Sequence, residues 1–148
     1  MKVEPWELAS LHRYFIAANK MHRLFEKMIP QATTDHAIPR DAAPDAAETF
    51  RYYMSDYHVL MQYWYSALFV VVEGFRDDLK LHDPKIDALL QSPYAEDLKY
   101  MRHATFHYQK HFVSPKMLRI LASTDSVPWV WSLHQAFDEF FLREVPKA

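Results

Sequence analysis

Cysteine is absent from the 148 residues of the chain, and glycine occurs once. The absence of cysteine excludes a disulfide scaffold, thiolate metal sites and thiol catalysis, and it suits a reducing compartment. Folds made of strands and tight turns use glycine at positive-φ positions, so a single glycine indicates long helices. We therefore expect an all-α protein in which residues 1–148 form a single domain.

Long hydrophobic runs and an excess of one charge are also missing. The apolar run 67–72 is the longest, and it is far shorter than the ~20 residues of a membrane span. Charge and proline within the first five residues argue against a secretory signal peptide. We expect a cytoplasmic protein with no membrane partner. A net charge of −2 gives no global attraction to nucleic acid, so any RNA binding must use a local basic patch.

Apolar residues are plentiful and recur at helical spacing: half of the residues are hydrophobic and 16% are aromatic. The pattern predicts a helical bundle of four principal helices and two short ones. The principal helices are expected at 5–29, ended by Pro30, and at 45–78, 92–112 and 126–145. Short helices are expected at 83–90 and 114–121, and a loop at 31–44.

The segment 92–112 combines a core stripe with a second, polar face. Ser92 and Pro93 are helix-start residues, and apolar side chains follow at steps of three and four as far as residue 112. His103, His107 and His111 drift by only ~40° each around a helix, so they would share the other face. A helix of this kind offers its polar face to a ligand or a partner.

Three polar residues interrupt the apolar segment 45–78. Gln62, Ser66 and Glu73 would lie on one side of a helix, where they must find hydrogen-bonding partners or face a wet cleft. Gly74 follows directly, and it either permits a close approach of another helix or marks a point where the helix weakens.

The run from Arg102 to His107 resembles the signature of the HEPN superfamily, in which a histidine follows an arginine at this spacing. His103 occupies the position directly after the arginine, where the family has a polar residue, more commonly asparagine. The segment 63–78 also looks like the helix that precedes the signature in a prokaryotic branch of the family. The resemblance covers roughly residues 50–112, and it implies an HEPN-like helical bundle.

The same resemblance implies a metal-independent endoribonuclease, in a toxin–antitoxin or defence setting. Arg102 would bind the phosphate and its transition state, and His107 would act as general base or acid. His103 would be an orienting group or a second titrating group, and Glu73 would hold Arg102 or a histidine in place. Attack by the RNA 2′-hydroxyl would leave a 2′,3′-cyclic phosphate and a 5′-hydroxyl. No cofactor and no metal are expected.

Partners follow from the same resemblance. Each chain carries one Arg–His pair, and family members usually dimerise so that two pairs line a shared cleft, so we expect a homodimer that binds RNA or a nucleotide. A nucleotidyltransferase-like antitoxin is the protein partner that the family suggests. Lys110 and Lys116 lie near the signature in sequence, where they could follow the phosphates or form a solvated edge.

Three other interpretations fit the same residues. A non-catalytic HEPN-like module would bind nucleotide or a partner protein at this site. A surface arginine and a satisfied histidine could also fall five residues apart by chance. A metal-binding bundle is the third, because histidines at i and i+4 can share an ion. Three histidines on successive turns would span about 12 Å, however, which is too far for one metal.

Overall fold

A computed structural model describes residues 2–35 and 46–146, with residues 30–35 described by their backbone alone. The described part of the chain is all-helical, without strands, as the glycine scarcity predicts. Seven α-helices and one π-helical turn are found in it, against the six helices expected. They are α1 (Pro5–Asp35), α2 (Ala46–Met54), α3 (Asp56–Glu73), the π turn (Gly74–Asp78), α4 (Pro84–Leu89), α5 (Tyr94–Phe106), α6 (Pro115–Leu121) and α7 (Ser126–Glu144).

Helix α3 is the central element of the core. It packs against α1 along one side and against α5 along another, which explains why its sequence is apolar nearly all round. Trp64, Leu68 and Val71 are completely buried on it. The aromatic ring of Phe75, just after α3, contacts the rings of α7. The position of α5 against α3 is what brings the Arg102 region next to Glu73.

The prediction that Pro30 ends the first helix is wrong, because α1 continues to Asp35. A proline inside a helix removes one backbone hydrogen bond at a cost of about 3 kcal/mol, but the bonds on either side can carry the helix through. The first five residues of the predicted loop, 31–35, are therefore helical. The rest of it, and the expected start of the second principal helix at residue 45, lie outside the described residues.

The predicted long helix 45–78 is broken at Ser55. This residue has extended backbone (φ −71°, ψ 148°), and its hydroxyl accepts a hydrogen bond of 3.2 Å from the backbone N–H of His58. The same hydroxyl donates to the carbonyl of Tyr52 at 2.6 Å. One side chain thus ends α2 and begins α3, a competition with the helical ladder that is typical of serine.

His58 is buried in the corner that this break creates. Only 1% of the residue is exposed, and its ring contacts those of Tyr52 and Tyr53, at centroid distances of 5.0 and 4.7 Å. Neither ring nitrogen has a hydrogen-bonding partner among the described residues. Burial lowers the pKa of His58 to about 4, so the imidazole is neutral at physiological pH.

Both expectations for Gly74 are met. A Cβ atom at this position would overlap the side chain of Leu11, so the glycine permits the close approach of α1. The α-helical ladder also changes here: the N–H of Leu79 donates to the carbonyl of Gly74 at 2.9 Å, five residues back. The π turn that results begins directly after Glu73.

A polar junction lies inside the apolar core. The indole N–H of Trp64 donates to Nδ1 of His134 at 3.0 Å, and Nε2 of His134 lies 3.1 Å from Oδ1 of Asn19. Because Nδ1 accepts, Nε2 carries the proton and donates to the amide oxygen. Burial, together with the nearby His22, lowers the pKa of His134 to about 3. One neutral imidazole therefore links α1, α3 and α7.

The later helices follow their sequence signals closely. Helix α4 starts at Pro84, and its N-cap Asp83 accepts hydrogen bonds from the backbone N–H groups of Lys85 and Ile86. Helix α6 starts at Pro115, and the apolar residues that recur at helical spacing on α7 are buried: Val130, Leu133, Phe137 and Phe140. Within the described ranges, none of the helices has the length and apolar character needed to cross a bilayer.

Candidate functional site

The candidate site lies at the C-terminal end of α5. The expected start is nearly right: the hydroxyl of Ser92 accepts from the backbone N–H of Tyr94 at 3.2 Å. The expected end is wrong, because the helix stops at Phe106 and His107 has extended backbone (φ −121°, ψ 135°). His107 and His111 therefore do not continue the helical face of His103. The expected core positions Tyr108 and Phe112 are exposed.

Gln109 provides a physical reason for this early end. Its side-chain amide donates to the carbonyl of His107 at 3.0 Å and to the carbonyl of Tyr108 at 3.3 Å. In a continuing helix those two carbonyls would accept from residues 111 and 112. A side chain that satisfies them locally stabilises the irregular segment 107–114 instead.

Arg102 is held against α3. Its Nη2 donates to Oε1 of Glu73 at 2.9 Å, and its guanidinium lies 5.6 Å from the ring centroid of Phe69. Both members of the ion pair are about one-third exposed on their side chains. The Nε–H of Arg102 is buried and has no partner among the described residues. Four of the five guanidinium N–H donors are thus not used by Glu73.

His103, the residue after this arginine, packs against His107. Their rings stack with centroids 4.5 Å apart and an interplanar angle of 31°. Nδ1 of His103 lies 2.8 Å from Nζ of Lys116, whose ammonium donates to the unprotonated ring nitrogen. Partial desolvation, and then the charges of Lys116, His107 and Arg102, lower the pKa of His103. His107 itself is exposed.

Ser66 and Glu73, two of the three polar residues predicted to share one side of α3, bind side chains of α5. The hydroxyl of Ser66 lies 2.7 Å from the carbonyl oxygen of Gln62 and 2.8 Å from Oγ1 of Thr105. Thr105 donates to the carbonyl of Met101 within α5. This hydroxyl pair and the Arg102 ion pair fix α5 on α3 over the last helical turn before the site.

The two predicted phosphate-following lysines differ in their surroundings. Lys116 contacts His103, as described, whereas Lys110 is exposed and forms no hydrogen bond or ion pair with any described residue. Both belong to a stretch, 98–124, that has five Lys or Arg residues, three histidines and no Asp or Glu. We call this stretch the cationic segment.

The cationic segment is a signal that the sequence offered and that motif reasoning missed. The other 121 residues carry 12 basic against 19 acidic side chains, so the overall charge of −2 conceals a strong local asymmetry. Lys99, Arg102 and Arg119 pair with the carboxylates of Glu96, Glu73 and Asp97, so Lys110 and Lys116 are the lysines of the segment without an acidic partner among the described residues. The contact between Lys116 and His103 could not be predicted from the sequence, because no periodicity relates residues 13 positions apart across a loop.

Comparisons with protein-family models, with curated proteins and with solved structures give no match. In the described parts of the chain, no group of three or more histidine, aspartate or glutamate side chains could hold a metal ion. The site is therefore interpreted from its own residues: a fixed guanidinium, a stacked imidazole pair and a lysine. Guanidinium and ammonium groups donate hydrogen bonds to phosphates, and imidazole is a common proton donor and acceptor in catalysis.

Proposed function

We propose that the protein is an HEPN-like, metal-independent endoribonuclease that acts as a homodimer. The observation that carries the proposal is the arrangement at the end of α5. Glu73 orients Arg102. The ring of His103, the next residue, stacks on the ring of His107 at the end of α5. Arg102, His103, His107 and Lys116 all belong to the cationic segment, which itself has no acidic side chain.

The chemistry assigns a role to each group. The guanidinium of Arg102 binds the non-bridging phosphate oxygens and stabilises the charge that develops in the transition state. His107 is the exposed imidazole, so it reaches the substrate and acts as general base on the 2′-hydroxyl or as acid on the leaving 5′-oxygen. His103 positions the ring of His107, and Glu73 is the positioning residue of Arg102.

A cleavage assay in EDTA tests this function. We expect wild-type protein to cleave a labelled RNA and to leave a 2′,3′-cyclic phosphate. Because removal of a general acid or base costs roughly 100-fold or more, His107→Ala should abolish most cleavage. Arg102→Lys should be nearly as inactive, since lysine keeps the charge but loses the planar fork. Substrate with 2′-deoxyribose at the cleaved position should stay intact.

His82→Ala is the matched control, because His82 is an exposed histidine that lies outside the cationic segment and pairs with Asp87. It should cleave like wild type. Circular dichroism must show that all variants are folded. Cleavage that survives both His107→Ala and Arg102→Lys would refute the assignment.

A second candidate is a non-catalytic module that binds a nucleotide or a protein partner such as a nucleotidyltransferase-like antitoxin. The observation that favours it is the ion pair itself, because Glu73 neutralises Arg102 and competes with any phosphate. A nucleotide that binds only the folded state would raise the melting temperature. Stabilisation by nucleotide, together with an absence of RNA cleavage, would favour this second function over the first.

A further inference from the structure

Three large aromatic side chains are exposed around the candidate site. Phe106 and Phe112 are each 55% exposed, and Tyr108, next to His107, is 92% exposed. We call these three residues the aromatic patch. The three fall within seven consecutive residues, 106–112, and exposed apolar groups beyond a few scattered ones commonly mark a binding site. The expectation that residues 108 and 112 belong to the core was wrong, so internal packing does not account for them.

Neighbouring rings orient two members of the aromatic patch. The ring of Phe112 stacks on that of Phe50 from α2, with centroids 5.6 Å apart and an interplanar angle of 10°. The ring of Phe106 packs edge-on against Tyr63 of α3 at 6.0 Å. These contacts restrict the rings while roughly half of each residue stays exposed. A restricted, exposed ring loses little conformational entropy when another flat group stacks on it.

Basic side chains are interleaved with the aromatic patch. Along the chain, His107 lies between Phe106 and Tyr108, and Lys110 and His111 lie between Tyr108 and Phe112. Alternation of rings and cations is the pattern that single-stranded nucleic acids require, since bases stack on the rings and phosphates approach the cations. A duplex keeps its bases stacked inside and cannot use the rings in this way.

A second copy of the chain fits the patch less well. In a two-fold contact centred on the patch the same surface faces itself, so Lys110 would approach its own copy. Like charges opposed across an interface are unfavourable, and the centres of protein interfaces are depleted in charged residues. The charge of the cationic segment is complementary to a polyanion instead.

We infer that the aromatic patch binds the unpaired bases of a single-stranded nucleic acid whose phosphates lie along Lys110 and the histidines at 107 and 111. The inference deepens the proposed function, and it rests on that function for the identity of the strand as RNA. Base stacking does not depend on the sugar, however. Binding can therefore be measured separately from cleavage.

Fluorescence anisotropy with a labelled single-stranded oligothymidylate tests the inference. This DNA probe lacks the 2′-hydroxyl, so it is not cleaved by the proposed mechanism. An abasic oligomer of equal length carries the same phosphate charge without bases. We expect the thymidylate to bind at least roughly 10-fold more tightly than the abasic strand. Tyr108→Ala and Phe112→Ala should each weaken thymidylate binding by roughly 5- to 150-fold and leave abasic binding unchanged.

Tyr14→Ala is the matched control for Tyr108→Ala, because Tyr14 is an exposed tyrosine on α1 that lines a groove beside Gly74, with Trp6 and Leu79. It should bind like wild type. Equal binding of the two probes, no detectable binding of either, or an unchanged affinity in both patch variants would overturn the inference. So would a loss of dimer, measured by light scattering, on substitution of the patch.

The two proposals fail in different ways. Thymidylate binding that depends on Tyr108, without any RNA cleavage, would refute the nuclease and leave the base-binding surface in place. RNA cleavage that depends on His107, with thymidylate affinity unaffected by Tyr108→Ala and Phe112→Ala, would refute the base-binding surface and leave the nuclease.

Discussion

Replacement of His58 by leucine should make the protein more resistant to acid. The imidazole is buried against two tyrosine rings without a hydrogen-bonding partner among the described residues. In the unfolded chain it takes up a proton near its ordinary pKa of 6.5, but burial holds the folded pKa at about 4. Between these values the unfolded state binds more protons than the folded state, so the free energy of unfolding falls as the pH falls.

The size of the effect follows from the two pKa values. A difference of about 2.5 units corresponds to about 3 kcal/mol, which is lost completely only below the folded pKa. At about pH 5 the loss is about 2 kcal/mol, and above about pH 7.5 it vanishes because the imidazole is neutral in both states. Leucine has a similar volume and does not titrate. His58→Leu should match or exceed wild-type stability near pH 7.5, and its advantage should grow by about 2 kcal/mol at pH 5.

Urea unfolding followed by circular dichroism at several pH values measures this difference. His111→Leu is the control, because the side chain is exposed and has no contact with the described residues; its stability should follow the wild-type pH dependence. The buried His134 titrates in the same acidic range in both proteins, so it cancels from the comparison. If the wild-type and His58→Leu stabilities remain parallel down to about pH 5, burial of His58 does not destabilise its charged form, and the reasoning is refuted.

Two further changes have specific expected results. Gly74→Ala should change the free energy of unfolding by less than about 1 kcal/mol, because the new methyl group overlaps only the end of the Leu11 side chain, which can turn into the adjoining groove, and alanine is about 1 kcal/mol better than glycine in a helical backbone; a loss above about 3 kcal/mol would contradict this. Lys116→Met should raise the pKa of His103, measured by NMR titration of the ring protons, because a positive charge 2.8 Å from Nδ1 is removed. Lys110→Met removes a lysine that has no such contact, and an equal shift in both variants would exclude a direct effect.

Local signals in the sequence located the later helices well. An aspartate or serine followed by proline marks the starts of α4 and α6, and the helical period of apolar residues identifies the buried face of α7. These features depend on the backbone chemistry of a few adjacent residues. The Ser55–Asp56 pair was a signal of the same kind, but the apolar pattern runs across it and hides the break.

The site was harder to predict, because its geometry depends on contacts between distant residues. The Arg102–His107 spacing identified which residues to examine, and Glu73 was named beside them. The end of α5 depends on Gln109, whose amide could equally have faced solvent. Contacts across a loop, such as that of Lys116, follow from the packing of α6 on α5 and from no local pattern.

The π turn after Glu73 has a consequence for changes in chain length. A π-helical hydrogen bond, which joins residues five apart, encloses one residue more than the α-helical bond between residues four apart. Deletion of one residue within 74–78 should therefore restore an ordinary α-helix. The chain beyond it would then be rotated by roughly 100° about the helix axis. Asp83 would be carried away from Arg143, to which its carboxylate is now bonded at 2.7 Å. Homologous chains with a deletion at this point would therefore need a different connection between the central helix and the last one.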